Sequence, residues 1–275
     1  EPQKDVVGNW VVCSPATVGD FSAVAYFFAQ TVFEKTGFPV GLINSSWGGT
    51  PAESWTKKEI LEEDPEFQSI LDNYERALKE YPEAMEAFKV KFDAWKEEAE
   101  AAKERGEKPK GAPREPIGPQ HNKSPYKLYN AMIAPLVPYT IKGAIWYQGE
   151  SNADRPKQYR SLFPAMIKNW RDDWNSEFPF YFVQIAPHRS QGPGIREAQL
   201  LTMLSVPNTG MAVTTDWGDS LDIHPRNKRI VGERLALWAL AKDYGQKDIV
   251  YSGPIYKSMK IEGDRIILDF DYAER

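Results

Sequence analysis

Apolar and polar positions alternate along the chain in a pattern that predicts helices separated by short buried strands. Residues 21–35 carry apolar side chains at helical spacing, and Gly37 follows where a helix is expected to end. The nearly continuous apolar run over residues 38–44 then predicts a strand that is buried on both faces of a parallel sheet.

The same alternation returns in the second half of the chain. Strands are predicted over residues 141–147, 178–185 and 210–214, and helices over 159–174, 195–204 and 227–244. Strands that alternate with helices of about 10–15 residues indicate an α/β fold with a mainly parallel sheet. We therefore look for ligand-binding groups where these strands end, because open parallel sheets bind ligands at the carboxyl ends of their strands.

Residues 57–119 interrupt this alternation with a composition of their own. Lys, Glu and Ala dominate, and apolar side chains recur at spacings near three and four. This pattern predicts an amphipathic helix or a helical hairpin, inserted into the α/β domain and closed by an exposed loop over 104–119. Residues 246–275 contain short strand-like segments separated by Gly. We therefore expect an α/β domain over 1–245 and the beginning of a β-rich segment over 246–275.

Composition and charge exclude several classes of protein. Hydrophobic residues make up 41% of the 275 residues, which is enough for a core and excludes disorder over most of the chain. A formal net charge of -5 argues against a nucleic-acid partner, and no apolar run approaches the roughly 20 residues of a membrane span. The single cysteine, Cys13, excludes an intramolecular disulfide and a cysteine-rich zinc site. Nine Trp residues fit either a large aromatic core or a sugar-facing cleft.

Three polar segments follow predicted strands, and the first of them is rich in glycine. Gly48 and Gly49 follow the strand over 38–44, and glycines let backbone N–H groups approach a ligand closely enough to bind an oxyanion. The alternative is a structural turn, in which Thr50 caps a short helix with support from Glu53.

The second segment follows the strand over 141–147 and concentrates polar side chains. Four of five consecutive positions are occupied by Gln148, Glu150, Ser151 and Asn152. Asn and Ser favour turns for hydrogen-bonding reasons of their own, but a loop needs no such density of polar groups. We therefore interpret this segment as part of a functional site.

The third segment follows the strand over 210–214 and contains one of the three histidines. His224 is preceded there by Asp216, Asp219 and Asp222. A carboxylate beside an imidazole fixes its tautomer and stabilises the imidazolium, so His224 is the best candidate for a general base. His121 and His188 lie in other loops and are interpreted as structural or surface residues. So few His and Cys residues argue against zinc, whereas Mg²⁺ or Ca²⁺ bound by the three acids stays an alternative that lacks the spacing of an EF-hand.

Five blocks of sequence occur in a fixed order between about residues 8 and 245. They are Phe21-Ser-Ala-Val-Ala-Tyr26, Pro39-Val-Gly-Leu-Ile-Asn-Ser-Ser-Trp-Gly-Gly-Thr-Pro-Ala-Glu-Ser-Trp55, Leu128-Tyr-Asn-Ala-Met-Ile-Ala-Pro135, Lys142-Gly-Ala-Ile-Trp-Tyr-Gln-Gly-Glu-Ser-Asn152 and Asp222-Ile-His-Pro-Arg-Asn-Lys228. Together they resemble the sialate O-acetylesterase family of SGNH-type hydrolases. The resemblance implies a three-layer αβα fold and an SGNH-hydrolase-like esterase domain over 1–245.

The resemblance also implies a chemistry that needs no metal or other cofactor. In that family a serine attacks the acetyl carbonyl, while backbone N–H groups and an amide side chain hold the oxyanion. Carried over to this chain, Gly48 or Gly49 donates the backbone N–H. The segment Gln148 to Asn152, with Glu150 inside it, binds the oxyanion or the substrate, and Gln148 is the first choice for the amide, ahead of Asn152.

A histidine with a carboxylate partner moves the proton in that family. His224 is then the base, and Asp222 is the first choice as its partner. Asp222 stands two residues before the histidine, where many SGNH hydrolases use an offset of three. Asp219 and Asp216 therefore stay open as alternatives.

The chain departs from the family pattern at the nucleophile. The serine of the family lies in a Gly-Gln-Ser-Asn block on the first strand, and this chain contains no such block. Ser45, Ser46 and Ser151 lie in the predicted site loops, but none sits in a strained turn of the kind that exposes a nucleophile. The family also continues with further β structure, so we expect a middle piece of a longer protein or a shortened homologue.

The leading hypothesis is a carbohydrate esterase that hydrolyses O-acetyl esters on sialic acid or a related glycan. One alternative is a non-catalytic carbohydrate-binding or structural remnant of the fold, and another is an acetylxylan esterase. The expected partner is the acetylated carbohydrate. Residues 1–5 lack the basic and apolar regions of a signal peptide, whereas the resemblance implies a secreted, periplasmic or lysosomal protein.

Overall fold

The computed structural model describes residues 1–273, which divide into two compact units. The helical unit comprises Glu1–Val7, Trp47–Tyr139 and Ser161–Trp174. The sheet unit comprises Gly8–Ser46, Thr140–Arg160 and the described residues from Asn175 onward. The predicted domain division at residue 245 stays a prediction.

The elements follow one another in the order of an α/β chain with a helical insertion. The helices are α1 (Ala23–Thr36), α2 (Lys58–Glu63), α3 (Gln68–Glu104), α4 (Pro156–Trp174), α5 (Pro193–Ser205) and α6 (Lys228–Lys242). The strands are β1 (Ala144–Trp146), β2 (Phe180–Gln184), β3 (Thr209–Val213), β4 (Ile255–Glu262) and β5 (Arg265–Asp271).

Helix α1 begins and ends on residues whose chemistry suits those positions. The Ser22 hydroxyl oxygen accepts a hydrogen bond from the backbone N–H of Ala25 at 3.3 Å, which satisfies one of the free donors of the first turn. Gly37 adopts φ 73°, a left-handed conformation that glycine reaches without strain, and its N–H donates to the carbonyl of Phe33 at 2.8 Å. The predicted helix and its end at Gly37 are confirmed.

The sheet unit is built on three parallel strands in the order β1-β2-β3. Tyr181 and Val183 of β2 pack against Leu235 and Trp238 of α6 in the core. Successive side chains of a strand point to opposite faces, and the alternate residue Phe182 is also fully buried. Both faces of β2 are therefore covered, and the predicted α/β class with a mainly parallel sheet is confirmed.

The predicted buried strand over residues 38–44 is wrong. This segment forms no strand, and Phe38 and Ile43 are 60% and 41% exposed. An apolar run is buried as a parallel strand only when neighbouring strands bond to its backbone. Among the described residues, β1 pairs with β2 on one side and with no strand on its other side. The segment is apolar, as the pattern indicates, but within residues 1–273 it has no strand to pair with.

The helical unit contains the inserted residues as one long helix rather than a hairpin. Helix α3 runs for 37 residues, and its aromatic side chains Phe88, Phe92 and Trp95 stack in succession with ring centroids 5.3 and 5.4 Å apart. The Trp95 indole N–H donates to the carbonyl of Lys110 at 2.8 Å, so the segment after the helix packs back along it. Of the two forms that the sequence allowed, the single amphipathic helix is correct.

Strands β4 and β5 form an antiparallel hairpin in the sheet unit. Their register places six apolar side chains on one exposed face, namely Tyr256, Met259, Ile261, Ile266, Leu268 and Phe270. No helix in the described part of the chain has the length and apolar composition needed to cross a membrane.

Candidate active site

The predicted glycine segment lies in the helical unit, whereas the other predicted site residues lie in the sheet unit. Gly48 and Gly49 form a turn after Trp47, and Gly49 has a φ of 71°. A Cβ at either position would meet open space. Both backbones are therefore accessible from outside the turn, as an oxyanion donor requires.

The alternative interpretation of this segment, a helix capped by Thr50, is wrong. The short 3₁₀ helix Ala52–Trp55 begins after Pro51 and has no side-chain cap. The Thr50 hydroxyl instead donates to the carbonyl of Trp47 at 2.7 Å and accepts from the Trp55 indole N–H at 2.9 Å. Thr50 thus closes the glycine turn, because its side chain bonds back across it.

The loop after β1 is held by a buried network of side-chain amides. The Gln148 Nε2 donates to Oδ1 of Asn152 at 2.6 Å, and the Tyr159 hydroxyl donates to Oε1 of Gln148 at 3.0 Å. Gln148 and Asn152 are 8% and 1% exposed. Gln148 and Asn152, the two side-chain amides that the sequence analysis predicts to bind the oxyanion, are therefore bonded to each other.

Gln199 of α5 completes this network, although the sequence analysis missed it. Its Nε2 donates to the Gln148 carbonyl and its Oε1 accepts the N–H of Ile185, both at 3.0 Å. Gly149 has a φ of 152°, and a Cβ built there would lie 2.8 Å from Nε2 of Gln199. A buried glutamine inside a helix has no signature in the sequence, so only the fold reveals this contact.

Glu150 brings the loop after β1 and the loop after β3 into one electrostatic environment. Burial raises the pKa of the Glu150 carboxyl, while the nearby Lys228 and His224 act in the opposite direction. The Lys228 ammonium lies above the Tyr147 ring, 5.1 Å from its centroid. Two polar segments that the sequence places 70 residues apart therefore interact in the sheet unit.

His224 lies exposed in the loop after β3. Its backbone N–H donates to Oδ1 of Asp222 at 2.9 Å. Among the bonds within residues 1–273, the imidazole ring makes none, so its two nitrogens are open to other groups. A histidine in this state can take up a proton from a substrate or a nucleophile.

The other two acids of this loop have partners of their own. Asp219 accepts the backbone N–H of Leu221 at 2.8 Å, as Asp222 does with His224. Asp216 pairs with Arg234 through two bonds of 2.6 Å, and these bonds lower the pKa of the Asp216 carboxyl. Asp216 therefore holds the loop to α6.

The two remaining histidines bond within their own turns. Nδ1 of His188 lies 2.7 Å from the Ser190 hydroxyl, and Nδ1 of His121 accepts the N–H of Lys123 at 3.0 Å. Within residues 1–273, no group of three or more His, Cys, Asp or Glu side chains has the arrangement of a metal site.

Comparisons with known proteins show which families and structures this chain is similar to. Residues 117–241 match the family described as carbohydrate esterase, sialic acid-specific acetylesterase. Sialate O-acetylesterases of Rattus norvegicus and Homo sapiens are 32% and 31% identical over 92% of this chain. The match covers 48% and 45% of those two proteins, so the chain spans about half the length of these curated relatives.

A solved structure shows the same fold. The crystal structure of a carbohydrate acetylesterase from Xanthomonas citri is 34% identical and superposes with a TM-score of 0.74, over 99% of this chain and 52% of that chain. The fold and the matched domain are therefore similar to those of carbohydrate esterases. Within that class, the chain is similar to the sialate O-acetylesterase family over most of its length.

Proposed function

We propose that this chain carries the proton-transfer and oxyanion-binding parts of an esterase that removes O-acetyl groups from sialic acid or a related glycan. One observation carries the proposal. The loops after β1 and β3 follow the carboxyl ends of parallel strands of one sheet, and His224 of one loop acts on the pKa of Glu150 in the other. The exposed position of His224 suits a base that must reach a substrate.

The nucleophile in this proposal is a serine of the Gly-Gln-Ser-Asn block, which this chain does not contain. Its hydroxyl oxygen attacks the acetyl carbonyl carbon while His224 takes the hydroxyl proton. Within the sheet unit, an amide of the Gln148 loop holds the tetrahedral oxyanion. Collapse releases the sugar hydroxyl, which takes the proton from His224, and leaves an acetyl-serine.

Water completes the cycle by the same route. His224 takes a proton from water as the water oxygen attacks the acetyl-serine, and the second collapse releases acetate and returns the proton to the serine. A carboxylate stabilises the charged imidazolium in both halves, and Asp222 is the proposed partner. Trp217, which is 45% exposed in the same loop, offers a flat apolar face to a sugar ring.

The test is acetate release from O-acetylated sialic acid and from acetylated xylan. It compares this chain with a version extended upstream to include the serine block, and with His224→Ala in that version. We expect activity in the extended protein only, and a loss of at least about a thousandfold in His224→Ala.

Each other outcome has a defined meaning. Activity in this chain alone would assign the nucleophile to one of its own serines. Near-full activity of His224→Ala would overturn the base assignment. If neither folded protein releases acetate, the result would favour the binding or structural remnant. A strong preference for acetylated xylan as substrate would favour the acetylxylan esterase.

A further inference from the structure

Lys228 carries a positive charge that is partly buried in the sheet unit without a bonded partner among the described residues. It is the first residue of α6 and is half-buried, with its ammonium 5.1 Å from the centroid of the Tyr147 ring. Within residues 1–273, this ammonium forms no ion pair and no hydrogen bond. By contrast, Arg229 and Arg234 of the same helix pair with Glu233 and Asp216.

Both the helix and the burial disfavour a cation at this position. The amino end of a helix carries a partial positive charge, which repels an ammonium, and removing a charge from water costs free energy unless a partner replaces the water. Burial accordingly lowers the pKa of Lys228, although Glu150 and Asp222 act in the opposite direction. The cation–π contact with Tyr147 is a weak attraction at a partly exposed site. An anion supplied from outside would relieve this cost.

We propose that Lys228 is a specificity-determining residue that pairs with the carboxylate of an acidic sugar bound beside His224. The proposal rests on the proposed function, because it assumes that the sugar binds at this site. Lys228 stands four residues after His224, and its ammonium lies over the Tyr147 ring at the start of the loop after β1, so a ligand bound between the two loops would lie near the ammonium. The carboxylate of an acidic sugar could bond directly to the ammonium, whereas a neutral acetylated sugar would leave it without a bonded anion.

A competing explanation is that Lys228 serves Glu150 rather than the ligand. If Lys228 only favours the ionised form of Glu150, its removal should weaken the binding of acidic and neutral sugars alike. If Lys228 pairs with the ligand, its removal should weaken only the binding of the acidic sugar. The comparison of two ligands that differ only in charge therefore separates the two roles.

The experiment is a binding titration followed by NMR on the ¹⁵N-labelled chain, which needs no nucleophile. The ligands are N-acetylneuraminic acid, its carboxamide and glucuronic acid. The variants are Lys228→Gln, Lys228→Arg and Arg226→Gln, the last of which removes an exposed positive charge two residues away in the same loop. The spectra also report whether each variant is folded.

We expect the chain to bind N-acetylneuraminic acid at least tenfold more tightly than the carboxamide. Lys228→Gln should abolish that preference, whereas Lys228→Arg and Arg226→Gln should keep most of it. Binding of glucuronic acid with the same dependence on Lys228 would extend the specificity to uronic acids, and weak binding would limit it to sialic acids.

Three results would overturn the proposal. They are equal binding of the acid and the carboxamide, an unchanged preference in Lys228→Gln, and equal losses in Lys228→Gln and Arg226→Gln. Absence of any binding by the unsubstituted chain would overturn it too. None of these results bears on acetate release by the extended protein, so a failure of this inference and a failure of the proposed function can be told apart.

Discussion

The side-chain amide of Gln148 donates to Oδ1 of Asn152 at 2.6 Å, and this bond closes the polar loop that follows β1. Both side chains are buried, and the Tyr159 hydroxyl donates to the same glutamine. A side chain that is fixed from two sides has one orientation. The loop is therefore preorganised, which is the property that an oxyanion-binding group needs.

Gln148→Ala should destabilise the chain because two buried partners each lose a hydrogen bond. We expect a loss of about 1–3 kcal/mol in the free energy of unfolding, measured by urea titration. Tyr159→Phe removes only the bond from the hydroxyl, so its loss should be smaller, about 1 kcal/mol. Equal stability of Gln148→Ala and the unsubstituted chain would show that the network contributes nothing to the fold.

Gly149→Ala should destabilise the same loop through its backbone. A φ of 152° is strained for any residue with a Cβ, and the new atom would lie 2.8 Å from Nε2 of Gln199. We expect a loss of at least about 2 kcal/mol in the free energy of unfolding.

Gly253→Ala is the matched control for this change, since a Cβ there meets no atom within 4 Å and the residue has no positive φ. Its stability should change by less than about 0.5 kcal/mol in the same urea titration. A similar loss in both variants would attribute the effect to glycine replacement in general rather than to the loop.

The sequence predicted those parts of the structure that depend on local chemistry. Gly37 ends α1 as expected, because the left-handed conformation at a helix end is a property of that one residue. The strand over 38–44 failed for a reason that is not local, since its apolar pattern is compatible with burial but burial needs a neighbouring strand. A pattern can show that a segment suits a strand, but it cannot supply the strand beside it.

The same distinction applies to the candidate site. The density of polar residues around Gln148 marked the loop, and the three acids before His224 marked the other loop. Gln199 carries no such signal, because it is one polar residue in a helix, 51 residues from Gln148. The pairing of Asp216 with Arg234 could not be predicted either, because it depends on how α6 packs against the loop.

Glu150→Gln should change how stability depends on pH. Burial raises the pKa of this carboxyl above its ordinary value of 4.5, so the folded state favours the uncharged form. The stability that this preference provides is complete below pH 4.5 and is lost as the pH rises through the raised pKa. Glutamine stays uncharged, so the variant should become more stable relative to the unsubstituted chain between pH 4.5 and 8.

Urea titrations across this pH range measure the effect as a difference in the free energy of unfolding. Glu97→Gln, an exposed change on α3, is the control for the replacement of a glutamate by glutamine in general. If the difference between Glu150→Gln and the unsubstituted chain stays constant with pH, the carboxyl is not held in its uncharged form by the fold.

The carboxylate partner of His224 can be identified by replacing the three acids one at a time in the extended protein that contains the serine block. Asp222 bonds to the backbone N–H of His224, and Asp216 is already paired with Arg234. We therefore expect Asp222→Asn to lower kcat for p-nitrophenyl acetate by at least about a hundredfold, since an amide cannot stabilise the imidazolium. Asp216→Asn should leave kcat within about threefold and cost less than about 1 kcal/mol of stability, because its ion pair is exposed. Asp219→Asn should also leave kcat nearly unchanged. If Asp219→Asn is instead the damaging change, the loop must rearrange when substrate binds, and the partner of the histidine is Asp219.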